Sequence, residues 1–220
     1  MIKYKNALVV GAGAFGTSLA SILADRFESV VLKVRSQDVY DAINKDRENS
    51  VYLKGIKLKE NIRAVLEWDE LSDEFDNDIQ LLVSGLPTAG IKPFFEENYD
   101  KFLGYFKRGV PLISLSKGID PDTLELSDDL FFEFFPHHKE LITFLSGPSF
   151  AKEIMQEQIT LVTIGGRSRR VLRELSLMLD TSYFKALPSY DIKGVLLGGA
   201  LKNVLAISGG IIEGLGYNHN

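Results

Sequence analysis

The sequence predicts an α/β protein: a doubly wound, mostly parallel sheet with helices on both faces, followed by the first long helix of an all-α domain. Three observations point there. Short β-type runs alternate with helical segments along most of the 220 residues, the pattern of a parallel sheet with crossover helices. The first such run passes through three closely spaced glycines directly into a helix-forming stretch. From Asp191 the chain changes character and becomes one long apolar run.

The elements follow in order. Residues 7–10 form the first strand, and Gly11, Gly13 and Gly16 lead into a helix over 15–26. Gly11 permits the sharp exit from the strand, Gly13 lets the backbone approach a pyrophosphate, and Gly16 lets helix and strand pack closely. The helix N-terminus then offers unpaired N–H groups to phosphates. Strand before and helix after are the context that makes this triplet a Rossmann-type dinucleotide turn. Further strands are expected at 30–34, 79–84, 110–115, 141–145 and 160–164, and helices at 37–45, 92–107, 149–156 and 168–179. Residues 49–78 are polar and read as loop plus a short helix. From Asp191 to Gly216 the chain reads as one helix, with Asp191 at its start and a glycine-rich stop. A helix this apolar needs cover on most sides, so a helical domain or a dimer partner is expected beside it. The division is therefore 1–188 for the dinucleotide-binding domain and 189–220 for the start of a helical domain.

Composition excludes several classes. The chain is 45% hydrophobic and 25% charged, with a formal charge of −5 and no cysteine. Dispersed basic residues argue against nucleic acid or a polybasic membrane surface, and the lack of cysteine removes disulfides and thiol chemistry. A reducing cytoplasm is the simplest location. Lys3 and Lys5 before an apolar stretch imitate a signal peptide, but the stretch is broken by the glycine turn. No apolar run is expected to reach the ~18 residues of a membrane span. His137 and His138 are adjacent, point different ways and lack a third ligand, so a surface role is favoured over a metal site. The acidic run from Asp69 reads as a solvated helix face.

Ligands of open α/β sheets collect beyond the carboxyl ends of the strands. Four turns leave those ends: the glycine turn, Ser84-Gly-Leu-Pro87, Ser116-Lys-Gly118 and Ser146-Gly-Pro-Ser149. Lys117 there can pair with a phosphate or polarise a substrate oxygen, the plain alternative being a solvated lysine. Ser149 either caps a helix or helps hold an anion. Lys202 shares a helical face with Gly198 and Gly199, which leave room for a ring or substrate beside the amine. Burial in an apolar helix would lower its pKa and suit it to proton exchange, whereas a snorkelling lysine would do neither. Roughly 20 positions beyond the turn, where an acidic residue would grip the ribose of NAD, stands Arg35. That choice points to NADPH in preference to NADH.

The segments GAGAFGTSLA from Gly11, YLKGIKLKENIRAV from Tyr52, VSGLP from Val83, LSKGID from Leu115, SGPSFAKE from Ser146 and the helix from Asp191 closely resemble the NAD(P)-dependent glycerol-3-phosphate dehydrogenases of bacterial type. The resemblance runs through the whole chain. It implies that Ala14, Phe15, Arg35 and Ala151 contact the cofactor, that Lys117 touches cofactor and substrate, and that Gly147 and Ser149 line the substrate site. It further implies Lys202 as proton acceptor in the interconversion of sn-glycerol 3-phosphate and dihydroxyacetone phosphate, which supplies phospholipid backbones. Leu196 stands where the family commonly has an acidic residue, and Asn218 where it usually has glycine. Family members continue into a helical domain that supplies an aspartate and a Ser-Arg-Asn triplet, so the chain is expected to be a truncated piece of that architecture. Two other functions stay open: a non-catalytic dinucleotide-binding module without the substrate-phosphate clamp, and a related reductase acting on a small oxo acid.

Overall fold

An eight-stranded sheet runs through the computed structural model, which describes residues 4–217. Asn218 and Lys3, both named above, lie outside the described residues. The strands are β1 (Tyr4–Val10), β2 (Phe27–Lys33), β3 (Ile62–Val65), β4 (Ile79–Ser84), β5 (Leu112–Ser114), β6 (Ile142–Ser146), β7 (Thr160–Gly165) and β8 (Phe184–Ser189). They lie in the order β3-β2-β1-β4-β5-β6-β7-β8. The first six are parallel; β7 runs antiparallel to β6, and β8 parallels β7. This is the Rossmann arrangement with two added strands, and its order reverses between β1 and β4, where a ligand crevice forms.

Helices α1 (Ala14–Leu23), α2 (Gln37–Asp46), α6 (Ala151–Met155) and α7 (Arg169–Met178) pack on one face of the sheet, and α3 (Asp73–Asn77), α4 (Ile91–Lys107), α5 (Ser127–Phe134) and α8 (Ile192–Gly214) on the other. Because both sheet faces are covered, successive residues of β1 enter different cores. Ala7 and Val9 pack with Leu19, Ile22 and Leu172 on one side, while Leu8 and Val10 pack with Phe95, Phe102 and Phe131 on the other. Edge-to-face contacts at 5.1–5.3 Å around Phe95 set the second core.

Several expectations are corrected. The polar segment 49–78 contains the edge strand β3 besides its short helix α3. Strand β8, unforeseen, carries Pro188 and lies at the opposite edge, where proline is tolerated. The helix expected from Ser149 starts at Ala151. Helix α8 has an 18-residue window of mean hydropathy 1.7, so one element does have the length and apolarity of a membrane span, against expectation. Of this helix only Ile192 and Leu196 are buried.

Candidate functional site

Elementary backbone geometry builds the glycine turn. Gly11 adopts φ +94°, a conformation that disfavours a side chain, and the Gly85 amide donates to the Val10 carbonyl at 2.7 Å, joining the turns after β1 and β4. A Cβ at Gly16 would stand 2.2 Å from the Gly11 oxygen, so only glycine lets α1 lie this close. Gly13 differs: its φ of −66° suits any residue and a Cβ there would meet nothing within 4 Å. The protein itself leaves that space open. Gly13 also begins α1 without a side-chain cap among the described residues, so the first amides of the helix are left for an anion to accept from. These features fit a dinucleotide pyrophosphate.

The turns after β4, β5 and β6 stand on the same sheet edge as the glycine turn, because their strands are parallel to β1. Ser116 Oγ donates to the Leu86 carbonyl at 2.7 Å and ties two of these turns together. Lys117 follows it, with its ammonium 4.7 Å from the Phe15 ring centre. Lys117 as a whole is exposed. Desolvation first, and the Lys202 charge second, hold this ammonium below the ordinary lysine range.

Helix α8 follows β8 and packs across β7 and β6. Lys193 in its first turn reaches Asp128 at 2.8 Å and Asp129 at 2.6 Å on α5. Two turns later α8 meets the end of β6, where a Cβ on Gly199 would lie 2.7 Å from Ser146 Oγ and 3.7 Å from Lys117 Cγ. The missing side chain lets the helix close on the turn. Lys202 lies one turn beyond, half-buried, 4.8 Å above the Phe150 ring.

A hollow of about 510 Å³ separates α8 from the sheet edge, lined among others by Gly147, Thr163, Gly198, Gly199 and Lys202. The Ser149 hydroxyl, near this turn, is buried without a hydrogen-bond partner among the described residues. It caps no helix, since the Ala151 helix is capped at Phe150. A buried unpaired hydroxyl is costly and marks a place where a ligand acceptor would be welcome.

The structure thus gathers Gly11, Gly13, Ala14, Phe15, Gly16, Lys117, Gly147, Ser149, Ala151 and Lys202 on the carboxyl edge. Arg35 stands just beyond β2, exposed, on the side reached by the far end of a dinucleotide laid across β1. Lys202 departs from expectation in one respect: it is not enclosed within an apolar helix, because α8 is largely uncovered around it. Sequence reasoning missed Phe150 and Asn49, the latter a fully buried side chain that enters the glycine turn.

Comparison with known proteins decides the family. The model described as NAD-dependent glycerol-3-phosphate dehydrogenase N-terminus matches residues 6–171. The chain belongs to the NAD-dependent glycerol-3-phosphate dehydrogenase family. The model of that family's C-terminus matches residues 191–220. Among curated relatives, glycerol-3-phosphate dehydrogenase [NAD(P)+] of Myxococcus xanthus is 40% identical over 96% of this chain, and that of Leptospira biflexa is 34% identical over 96%. The chain spans 61% and 62% of their respective lengths. The same fold recurs in solved glycerol-3-phosphate dehydrogenases. That of Saccharomyces cerevisiae has a TM-score of 0.80 at 24% identity, covering 99% of this chain and 65% of that one. That of Coxiella burnetii has a TM-score of 0.78 at 23% identity, covering 99% and 63%.

Proposed function

We propose that residues 1–188 are the cofactor domain, and 189–220 the leading catalytic helix, of a cytoplasmic NAD(P)H-dependent oxidoreductase. It interconverts sn-glycerol 3-phosphate and dihydroxyacetone phosphate for glycerophospholipid synthesis. The observation that carries the reading is the arrival of α8 at the carboxyl edge, where Gly199 packs against Ser146 and the Lys117 stem and Lys202 lies over the Phe150 ring.

Gly11, Gly13, Ala14, Phe15 and Gly16 hold the pyrophosphate half of the dinucleotide, Ala151 touches it from α6, and Arg35 pairs with a 2′-phosphate, which favours NADPH over NADH. A nicotinamide held there would supply the two electrons of the reduction as a hydride. Lys117, Gly147 and Ser149 seat the substrate at the carboxyl edge, where Gly147 lines the hollow, with the Lys117 charge set against the substrate's phosphate or carbonyl oxygen. The Lys202 ammonium gives its proton to the ketone oxygen as the ketone carbon is reduced; in the reverse direction its amine takes the proton of the secondary hydroxyl. A positioned proton donor of this kind contributes ~100- to 10,000-fold in rate. A homodimer would cover the exposed face of α8.

One observation favours a second reading, a dinucleotide-binding chain that does not turn over. Beyond Lys202, α8 is uncovered and the substrate side of the hollow stands open. Oxidation of NADPH measured with dihydroxyacetone phosphate, with a small oxo acid, and with the Lys202→Ala variant separates the cases. Turnover of the triose phosphate that Lys202→Ala abolishes supports the dehydrogenase; tight NADPH binding without turnover supports the second reading, and preference for the oxo acid overturns the substrate.

A further inference from the structure

A side chain from outside the glycine turn reaches into it. Asn49 is fully buried in the loop that follows α2. Its Nδ2 donates to the Ala12 carbonyl at 2.8 Å and to Thr17 Oγ1 at 2.8 Å, using both amide hydrogens. The carbonyl can only accept, so the orientation of the Asn49 amide is fixed by its partner.

The consequence lies in the same peptide unit, whose other polar group is the Gly13 N–H. No peptide bond among the described residues is cis, and in a trans peptide the carbonyl and the following N–H point opposite ways. A bond that draws the Ala12 oxygen toward Asn49 therefore turns the Gly13 N–H away from it. That N–H donates to nothing among the described residues. Without the bond, rotation of the 12–13 peptide would cost the turn its aimed donor.

The loop is built to hold Asn49 there. Arg47 adopts φ +54°, its carbonyl accepts from the Leu58 amide at 2.7 Å, and its guanidinium donates back to the Leu58 carbonyl at 2.7 Å. Glu48 Oε1 accepts from the Gly55 amide at 2.8 Å, and Leu53 is buried beneath. The loop is thereby closed at its base and anchored at its tip.

We infer that Asn49 is a positioning residue for the cofactor: it presets the Gly13 amide for the dinucleotide pyrophosphate, through Ala12 and Thr17 rather than by touching the ligand. This inference rests on the cofactor reading above.

The test compares NADPH affinity, by fluorescence titration of the 220-residue chain, in the wild type, Asn49→Ala and Asn61→Ala. Asn61 also donates two amide bonds, both of them to backbone carbonyls, those of Ala24 and Phe27 at 2.9 Å, away from the turn. Asn49→Ala is expected to weaken NADPH about tenfold, the scale of one well-aimed bond to a charged group. Adenosine 2′-monophosphate, which lacks the pyrophosphate, should lose nothing. Asn61→Ala should lower thermal stability while leaving NADPH affinity unchanged. Equal losses for both ligands, or for both asparagine variants, would overturn the inference by making the effect one of general stability. Wild-type affinity in Asn49→Ala would overturn it alone, whereas a wild type that fails to bind NADPH would overturn the cofactor reading as well. Should Asn49→Ala fail to fold, amide hydrogen exchange of the wild type decides: NADPH must protect the Gly13 amide, and no protection refutes the inference.

Discussion

Two alanine substitutions three residues apart should have opposite effects on stability and the same effect on binding. At Gly16 the added methyl would lie 2.2 Å from the Gly11 oxygen, about 1 Å short of an ordinary contact. Backbone stands on both sides, so no rotamer relieves it and α1 must lift from β1. Overpacking of this severity costs about 3 kcal/mol, which for a chain of this size lowers Tm by about 6–12 °C. At Gly13 the φ of −66° already suits alanine and nothing stands within 4 Å. Gly13→Ala should therefore keep or raise Tm, since a less flexible unfolded chain contributes about 0.4–1 kcal/mol. Its methyl nevertheless occupies the space left for the pyrophosphate, and NADPH affinity should fall at least about tenfold, or 1.4 kcal/mol. Differential scanning fluorimetry and an NADPH titration on both variants read the two effects separately. An unchanged Tm in Gly16→Ala would refute the packing argument. NADPH bound by Gly13→Ala as by the wild type would refute the claim that this opening is reserved for the ligand.

Other outcomes follow from charges and exposure. Lys117→Met should raise Tm at pH 7 while weakening substrate binding, because the folded state holds that ammonium below its ordinary pKa. Charging it is then a cost of folding that fades as pH rises through the lowered value, so the Tm difference should shrink in alkali; a difference that grows would contradict the assignment. Lys193 has the opposite sign. Burial opposes its charge, but hydrogen bonds to Asp128 and Asp129 outweigh that and raise its pKa, so its hold on α8 should persist below pH of about 10.4 and be lost as pH rises through the raised value. Amide exchange in the first turn of α8, followed against pH and in Lys193→Ala, checks this, and protection that survives the substitution would sink it. Leu205 and Ile207, 70% and 64% exposed on α8, should drive self-association, and sedimentation giving only a monomer would contradict that.

Much of the fold was legible because its determinants are local. The 7–16 segment carries strand, turn and helix signals in order, and the apolar run from Asp191 carries its own helix start, with Asp191 Oδ1 accepting from the Gly194 amide at 2.8 Å. Edge strands were not legible. β3 has four residues inside a polar segment and β8 contains Lys185 and Pro188, so neither shows the pattern of a buried strand. The reversal of β7 was equally hidden, since residue pattern does not encode strand direction. The site's lysines could be located from turn positions and helical spacing, but their surroundings could not. Expected burial of Lys202 assumed cover over α8, which the described residues do not provide. Asn49 gave no signal at all: its partners lie 37 and 32 residues away and only the closed loop brings them together.

The central claim is that α8 brings Lys202 to the carboxyl edge to complete a reducing site. The most direct measurement is transfer of deuterium from 4-deuterated NADPH to dihydroxyacetone phosphate, read by mass spectrometry of the product. The account predicts glycerol 3-phosphate labelled at its secondary carbon with the wild type, and none with Lys202→Ala although NADPH still binds. Labelled product formed at the wild-type rate by Lys202→Ala, or no labelled product from a wild type that binds NADPH, would contradict it.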